Sequence, residues 1–209
     1  MPGESSSPEG ELKALLAERP VRAQSIAGLL DGLGHEERVR AIRSLGRGPQ
    51  RRLYEAADGF RPLCLADLVP PGVDDFVPVH HFGRNTLPLF THFEKRFCRP
   101  RGADPNKPGE LYGFNFQTLA PLTGPGYFVA REDPGRPEVW VDYSQVPPSP
   151  PDDWPDDWPE VASNNRGLAR LVFGFMVDTL RGVSEHVTIG SAARRGREIG
   201  SWFVLCRES

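Results

Sequence analysis

The chain has 209 residues, 38% of them hydrophobic and 25% charged, with a formal net charge of −3. That length suits one medium domain with a small appendage, and the acidic balance argues against a general nucleic-acid binder, which carries clear positive charge. The 22 glycines and 22 prolines predict many turns and few long regular elements.

Residues 1–10 are polar and acidic, with no apolar signal core behind a basic start, and read as a disordered tail. Residues 11–59 read as a helical appendage of short helix–turn units. Ile26, Leu29, Leu30 and Leu33, then Val39, Ile42 and Leu45, then Leu53 and Ala57 recur at helical spacing. Gly34, Gly46 and Gly59 are expected to end these helices. Arg38, Arg40, Arg43, Arg47, Arg51 and Arg52 make the second half of the appendage basic, a face that could meet a partner protein.

After a Pro-rich connector the apolar period changes from helical spacing to two, opening a core domain over residues 60–209. FVPVHHF, LYGFNFQTL, GYFVARE, EVWVDYSQV, HVTIGSA and SWFVLCRE all read as strands bounded by turn residues. Two segments among them read as helices. LPLFTHFEKRF follows a capping Asn85 and spaces Phe90, Phe93 and Phe97 helically. RGLARLVFGFMVDTLRGVSEH carries an apolar stripe through Leu168, Leu171, Val172, Phe175, Met176, Thr179, Leu180 and Val183. The fold class expected is therefore α+β: a mostly antiparallel curved sheet of five or six strands packed by one long helix. A Pro-rich acidic strap at 147–161 crosses the surface, with Trp154 and Trp158 pinned onto apolar neighbours or offered to a protein partner.

No apolar run approaches the ~20 residues of a membrane helix, so a soluble cytoplasmic protein is expected. Cys64, Cys98 and Cys206 lack CxxC spacing and read as reduced thiols, with Cys98 between Arg96 and Arg99 as a weaker nucleophile candidate. The histidines follow no metal-ligand spacing and no glycine loop matches a nucleotide motif, so neither a metal nor a cofactor is expected.

The chemically useful side chains gather between Asp75 and Glu132, among phenylalanines, the mixture a small-ligand pocket needs. On LYGFNFQTL, Asn115 and Gln117 share one face; Trp140 and Asp142 share one on EVWVDYSQV, and His186 and Thr188 on HVTIGSA. If those faces line a cavity, Asn115, Gln117, Tyr127, Trp140, Thr188 and Arg84 are the ligand contacts. The reading is a domain that binds a small apolar molecule with one or two polar groups. Its alternatives are an enzyme and a protein-interaction module without a pocket. In the enzyme, His81, His92 or His186 would act as base, oriented by Glu94 or Asp142 for proton transfer.

Overall fold

The computed structural model describes residues 7–88, 91–116, 124–148, 154, 158–164, 170 and 173–209. Four short helices open the chain: α1 (Pro8–Ala17), α2 (Ala23–Asp31), α3 (His35–Arg43) and α4 (Arg47–Ala56). The Ser7 hydroxyl accepts from the Gly10 amide at 3.2 Å and caps α1. Gly34 and Gly46 prove to be the residues just before α3 and α4, so they open the next helix instead of closing the previous one. A one-turn helix α5 (Leu65–Leu68) follows the connector.

Eight strands come next: β1 (Val79–Asn85), β2 (His92–Cys98), β3 (Leu111–Phe116), β4 (Phe128–Glu132), β5 (Val139–Asp142), β6 (Met176–Gly182), β7 (Val187–Arg194) and β8 (Arg197–Arg207). Each pairs antiparallel with its neighbour in sequence, and β1 pairs with β8 from His81↔Arg207 to Asn85↔Phe203, closing the sheet into a barrel. Closure satisfies every strand edge.

This overturns the expected α+β fold. The sheet has eight strands and is closed, not five or six and open, and no long helix packs it among the described residues. All six strands expected from period-two alternation are present. The remaining two, β2 and β6, lie inside the segments expected as helices. Their apolar anchors are four residues apart, Phe93 and Phe97 on β2, Met176 and Leu180 on β6. Four is an even number and close to one helical turn, so that spacing suits either conformation. The stripe residues Leu168, Leu171 and Val172, and Phe90 of the other segment, lie outside the described residues.

An eight-stranded barrel is just wide enough for side chains to fill it or for one small ligand. Here glycines make room for rings. Gly83 faces Phe93, Gly113 faces both Phe97 and Phe128, and Gly190 faces Phe203 across neighbouring strands. A Cβ on Gly190 would sit 2.2 Å from Phe203 Cζ, and one on Gly113 2.3 Å from the Arg96 carbonyl. The inward rings thus lie flat over bare backbone.

One end of the barrel is plugged. Leu63, Leu65, Leu68 and Val69 pack into the same core as Val79, Phe97, Leu111, Phe128, Val139 and Leu180. The plug is tied by the Leu65 amide to Glu132 Oε1 at 3.1 Å, and by the His81 Nε2–H donating to the Leu68 carbonyl at 3.0 Å.

Outside, helices α1–α4 cover β7, β8 and β1 through Val187, Ile189, Val204, Cys206, Phe82 and Trp202. Many of the appendage arginines are used within the fold. Arg38 is buried and donates to the carbonyls of Leu30 and Leu33, and Arg52 donates to Leu16. Arg43 and Arg47 stack on Phe82 and Trp202. On the opposite wall Trp158 and Trp154 pack with Phe76, Tyr112, Phe114 and Tyr127 over β3 and β4. No helix among the described residues is long and apolar enough to cross a membrane.

Candidate functional site

Strands β2 and β6 stand four places apart in an eight-strand ring, so they face each other across the lumen. Period two turns Phe93, Lys95 and Phe97 inward from β2, and Met176, Asp178 and Leu180 inward from β6. At the middle of each triplet is a charge. Lys95 Nζ reaches across to Asp178 Oδ2 at 3.1 Å, and both side chains are 2% exposed.

Two further side chains complete the cluster. Asn115 lies beside Lys95 in the β2–β3 register and accepts from Nζ through Oδ1 at 3.0 Å. Tyr143, directly after β5, accepts from Lys95 Nζ, donates its hydroxyl to Asp178 Oδ2 at 3.1 Å and accepts from Asn115 Nδ2 at 3.0 Å. Tyr143 is itself held by a stacked Phe173 ring at 5.3 Å and by Asn164, whose Nδ2 donates to the Tyr143 carbonyl at 2.8 Å. The rings of Tyr143, Phe203, Phe128 and Phe93 surround the ammonium at 4.9, 4.9, 5.1 and 5.9 Å.

Burial sets the electrostatics. It pushes Lys95 below the usual lysine range and Asp178 above the usual carboxylate range, and the attraction between the two opposes each shift. Burial also pushes the Tyr143 phenol well up, with the nearby Asp178 charge acting in the same direction. Tyr143 therefore stays protonated as a donor.

The cluster divides the barrel. On the side of α5 the plug residues Leu65 and Leu68 pack with Phe97, Phe128 and Leu180. On the other side a cavity of about 330 Å³ opens toward the mouth, lined by Phe93, Phe173, Met176, Ala192, Ser201 and Phe203 above Lys95, Asn115, Tyr143 and Asp178. Its wall is mostly apolar with a few polar groups at one end, as small-ligand sites are. One polar atom there is unmatched. Asp178 Oδ1 is buried and has no hydrogen-bond partner among the described residues.

Of the residues expected to carry function, Asn115 belongs to this cluster. His81 points into the barrel but sits at the plugged end, against Phe97. Burial lowers its pKa to about 3, so it is neutral. Thr188 is buried at the same end, and His186 is half-buried there, 3.8 Å from Glu185. His92 is exposed, and Glu94 points outward to Arg96 at 3.2 Å and His80 at 3.7 Å. Asp142 caps the turn after β5, accepting from the Ser144 amide and hydroxyl at 2.8 and 2.6 Å. Arg84 donates to the Arg43 carbonyl at 2.6 Å, docking the helices. Tyr127 lies under the tryptophans and donates to Pro159 at 2.5 Å, while Trp140 is 39% exposed on the outer wall. Gln117 lies outside the described residues. The structure therefore brings neither Glu94 nor Asp142 to His81, His92 or His186.

Lys95, Tyr143 and Asp178 are the site residues that sequence reasoning passed over. A signal was present: each charge stands midway between two apolar residues that share its strand face. Among the described residues no group of three His, Cys, Asp or Glu side chains comes together. All three cysteines are free thiols, and burial pushes Cys98 well above the usual thiol range, away from nucleophilic character. Compared with known proteins, the chain matches no family model, no curated sequence and no solved structure.

Proposed function

We propose that the barrel binds a small, largely apolar molecule that enters at the open end and presents a hydrogen-bond donor to Asp178. The carrying observation is Asp178, a lining residue of an open, mostly apolar cavity whose buried Oδ1 has no hydrogen-bond partner among the described residues. A buried carboxylate oxygen without a donor is costly, and a hydroxyl or N–H on the ligand would satisfy it. Phe93, Phe173, Met176 and Phe203 would enclose the apolar body. A second reading, proton transfer on the bound molecule, is favoured by the mutual hydrogen bonds of Lys95, Tyr143 and Asp178. The histidines play no part in it.

The test uses Nile red, a neutral apolar dye. The wild-type protein should bind one dye per chain with a rise in fluorescence, and octanol should displace it better than an ether of equal size, which cannot donate. Ala192→Trp fills the cavity and should abolish binding while circular dichroism stays unchanged. Equal dye binding by Ala192→Trp and wild type would refute the reading.

A further inference from the structure

Beside the cavity mouth runs a second concavity, a groove of about 680 Å³ lined by Arg170, Gly174, Phe175, Arg194, Arg195, Arg197 and Ile199. Two of its residues, Arg194 and Ile199, also line the cavity, so groove and cavity share a wall. Four guanidinium groups line one groove, and no carboxylate lines it among the described residues. Among the described residues none of Arg170, Arg195 and Arg197 forms an ion pair. Elsewhere on this barrel Arg131 is paired with Glu110 and Arg136 with Asp58.

The groove is also strained. Phe175 and Arg195 both hold left-handed backbone, at φ 60° and 52°, and the Arg195 amide donates to the Phe175 carbonyl at 3.0 Å. At Arg195 the cause is the turn itself: Arg195 and Gly196, at φ 52° and 73°, form the two-residue loop joining β7 to β8, which needs positive φ at both. The Phe175 ring lies exposed between two cations: it is 42% exposed, with Arg195 at 4.9 Å and Arg170 at 6.0 Å from its centroid. The register shift between Ala192 and Ala193 turns this same hairpin tip, a device common at barrel rims.

Register sets the distance between the two polar ends. Asp178 pairs with Ala192, and Arg195 is three residues further along the chain, roughly 10 Å at the rise of a strand. We infer that the molecule bound in the barrel is an anionic amphiphile, its donor and apolar body in the cavity and its carboxylate or phosphate head group among Arg194, Arg195 and Arg197. The inference rests on the ligand-binding reading above and specifies the ligand class. Guanidinium forks recognise both head groups in the same way.

The experiment displaces Nile red from the full-length protein with 8-hydroxyoctanoate, 8-hydroxyoctyl phosphate, 8-amino-1-octanol and octanol at low and high salt, so that every probe carries the hydroxyl donor and only the head group differs. Both anions should displace the dye at about a tenfold lower concentration than octanol, the lower range for charge-assisted hydrogen bonds. Salt should narrow that gap, because rim charges are screened, while leaving octanol unchanged. Arg195→Gln combined with Arg197→Gln should remove the gap, and the tighter of the two anions identifies the head group. Octanol or 8-amino-1-octanol matching the anions overturns this inference and leaves the barrel reading intact. Failure of all four probes, octanol included, to displace the dye sinks both. The wild-type salt series decides the question even if the double variant folds poorly.

Discussion

Replacing Lys95 by Met removes the ammonium and keeps the bulk of the side chain. Asp178 would then be a carboxylate 2% exposed, with Tyr143 its one remaining donor among the described residues. Breaking one side of a buried pair costs about 3–5 kcal/mol, because the stranded charge keeps its desolvation penalty. That is a large share of the roughly 5–15 kcal/mol stabilising a typical domain. The loss should depend on pH. Asp178 already has a raised pKa from burial, and without Lys95 it rises further. A carboxyl whose folded pKa exceeds its unfolded one contributes stability below the unfolded pKa, lost as pH rises through the folded value. Lys95→Met should therefore lie closest to wild type in mild acid and furthest from it at neutral pH and above. Asp178→Leu alone should also destabilise, by less, since Lys95 keeps Asn115 and Tyr143. The double variant should return to within about 1–2 kcal/mol of wild type, as apolar replacement of whole buried pairs does. Urea unfolding followed by tryptophan fluorescence gives the four free energies of the cycle. If the double variant loses the sum of the two single costs, the charges do not act as a pair and the account of the barrel's centre is wrong.

Three further predictions test other parts of the structure. His81 has a folded pKa of about 3 against an ordinary 6.5, so its stabilisation is complete above pH 6.5 and falls as pH drops toward 3. Near pH 4.5 this amounts to about 2–3 kcal/mol; His81→Gln, which keeps a donor for Leu68, should show a correspondingly weaker dependence of urea midpoint on pH, and an unchanged slope would exclude His81 as the source. Gly190→Ala places a Cβ 2.2 Å from Phe203 Cζ; driving the ring toward the cavity should cost about 1–3 kcal/mol and weaken Nile red binding together, and loss of neither would show that the ring has room. Trp158→Ala removes a ring packed edge-on to Phe114 at 4.8 Å on the outer wall and should cost about 3–5 kcal/mol; at temperatures where it stays folded, dye binding should persist, since the cavity lies on the other side of the sheet.

The part of this protein legible in its sequence is the part governed by local alternation. HVTIGSA, LYGFNFQTL and EVWVDYSQV declare themselves as strands because one face is apolar and the next is not, SWFVLCRE because its short apolar run is bounded by turn residues, and the amphipathic spacing of residues 11–59 declares helices. Where alternation was obscured, the cause was the candidate site itself. Lys95 interrupts the apolar face of β2 and Asp178 that of β6, so both segments look like helices with charged outer faces. A lysine belongs inside a barrel only when a partner awaits it, and that partner lies 83 residues away along the chain. Nor do Gly83, Gly113 and Gly190 signal anything but turns until the ring each accommodates is placed on the neighbouring strand. Sequence alone determined six of the eight strands and the helical character of residues 11–59, since those choices depend on neighbours a few residues apart. Closure of β1 onto β8, the plug at one end, the crossing ion pair and the cavity above it were decided only by tertiary structure, because each is a contact between segments whose separation no local period records.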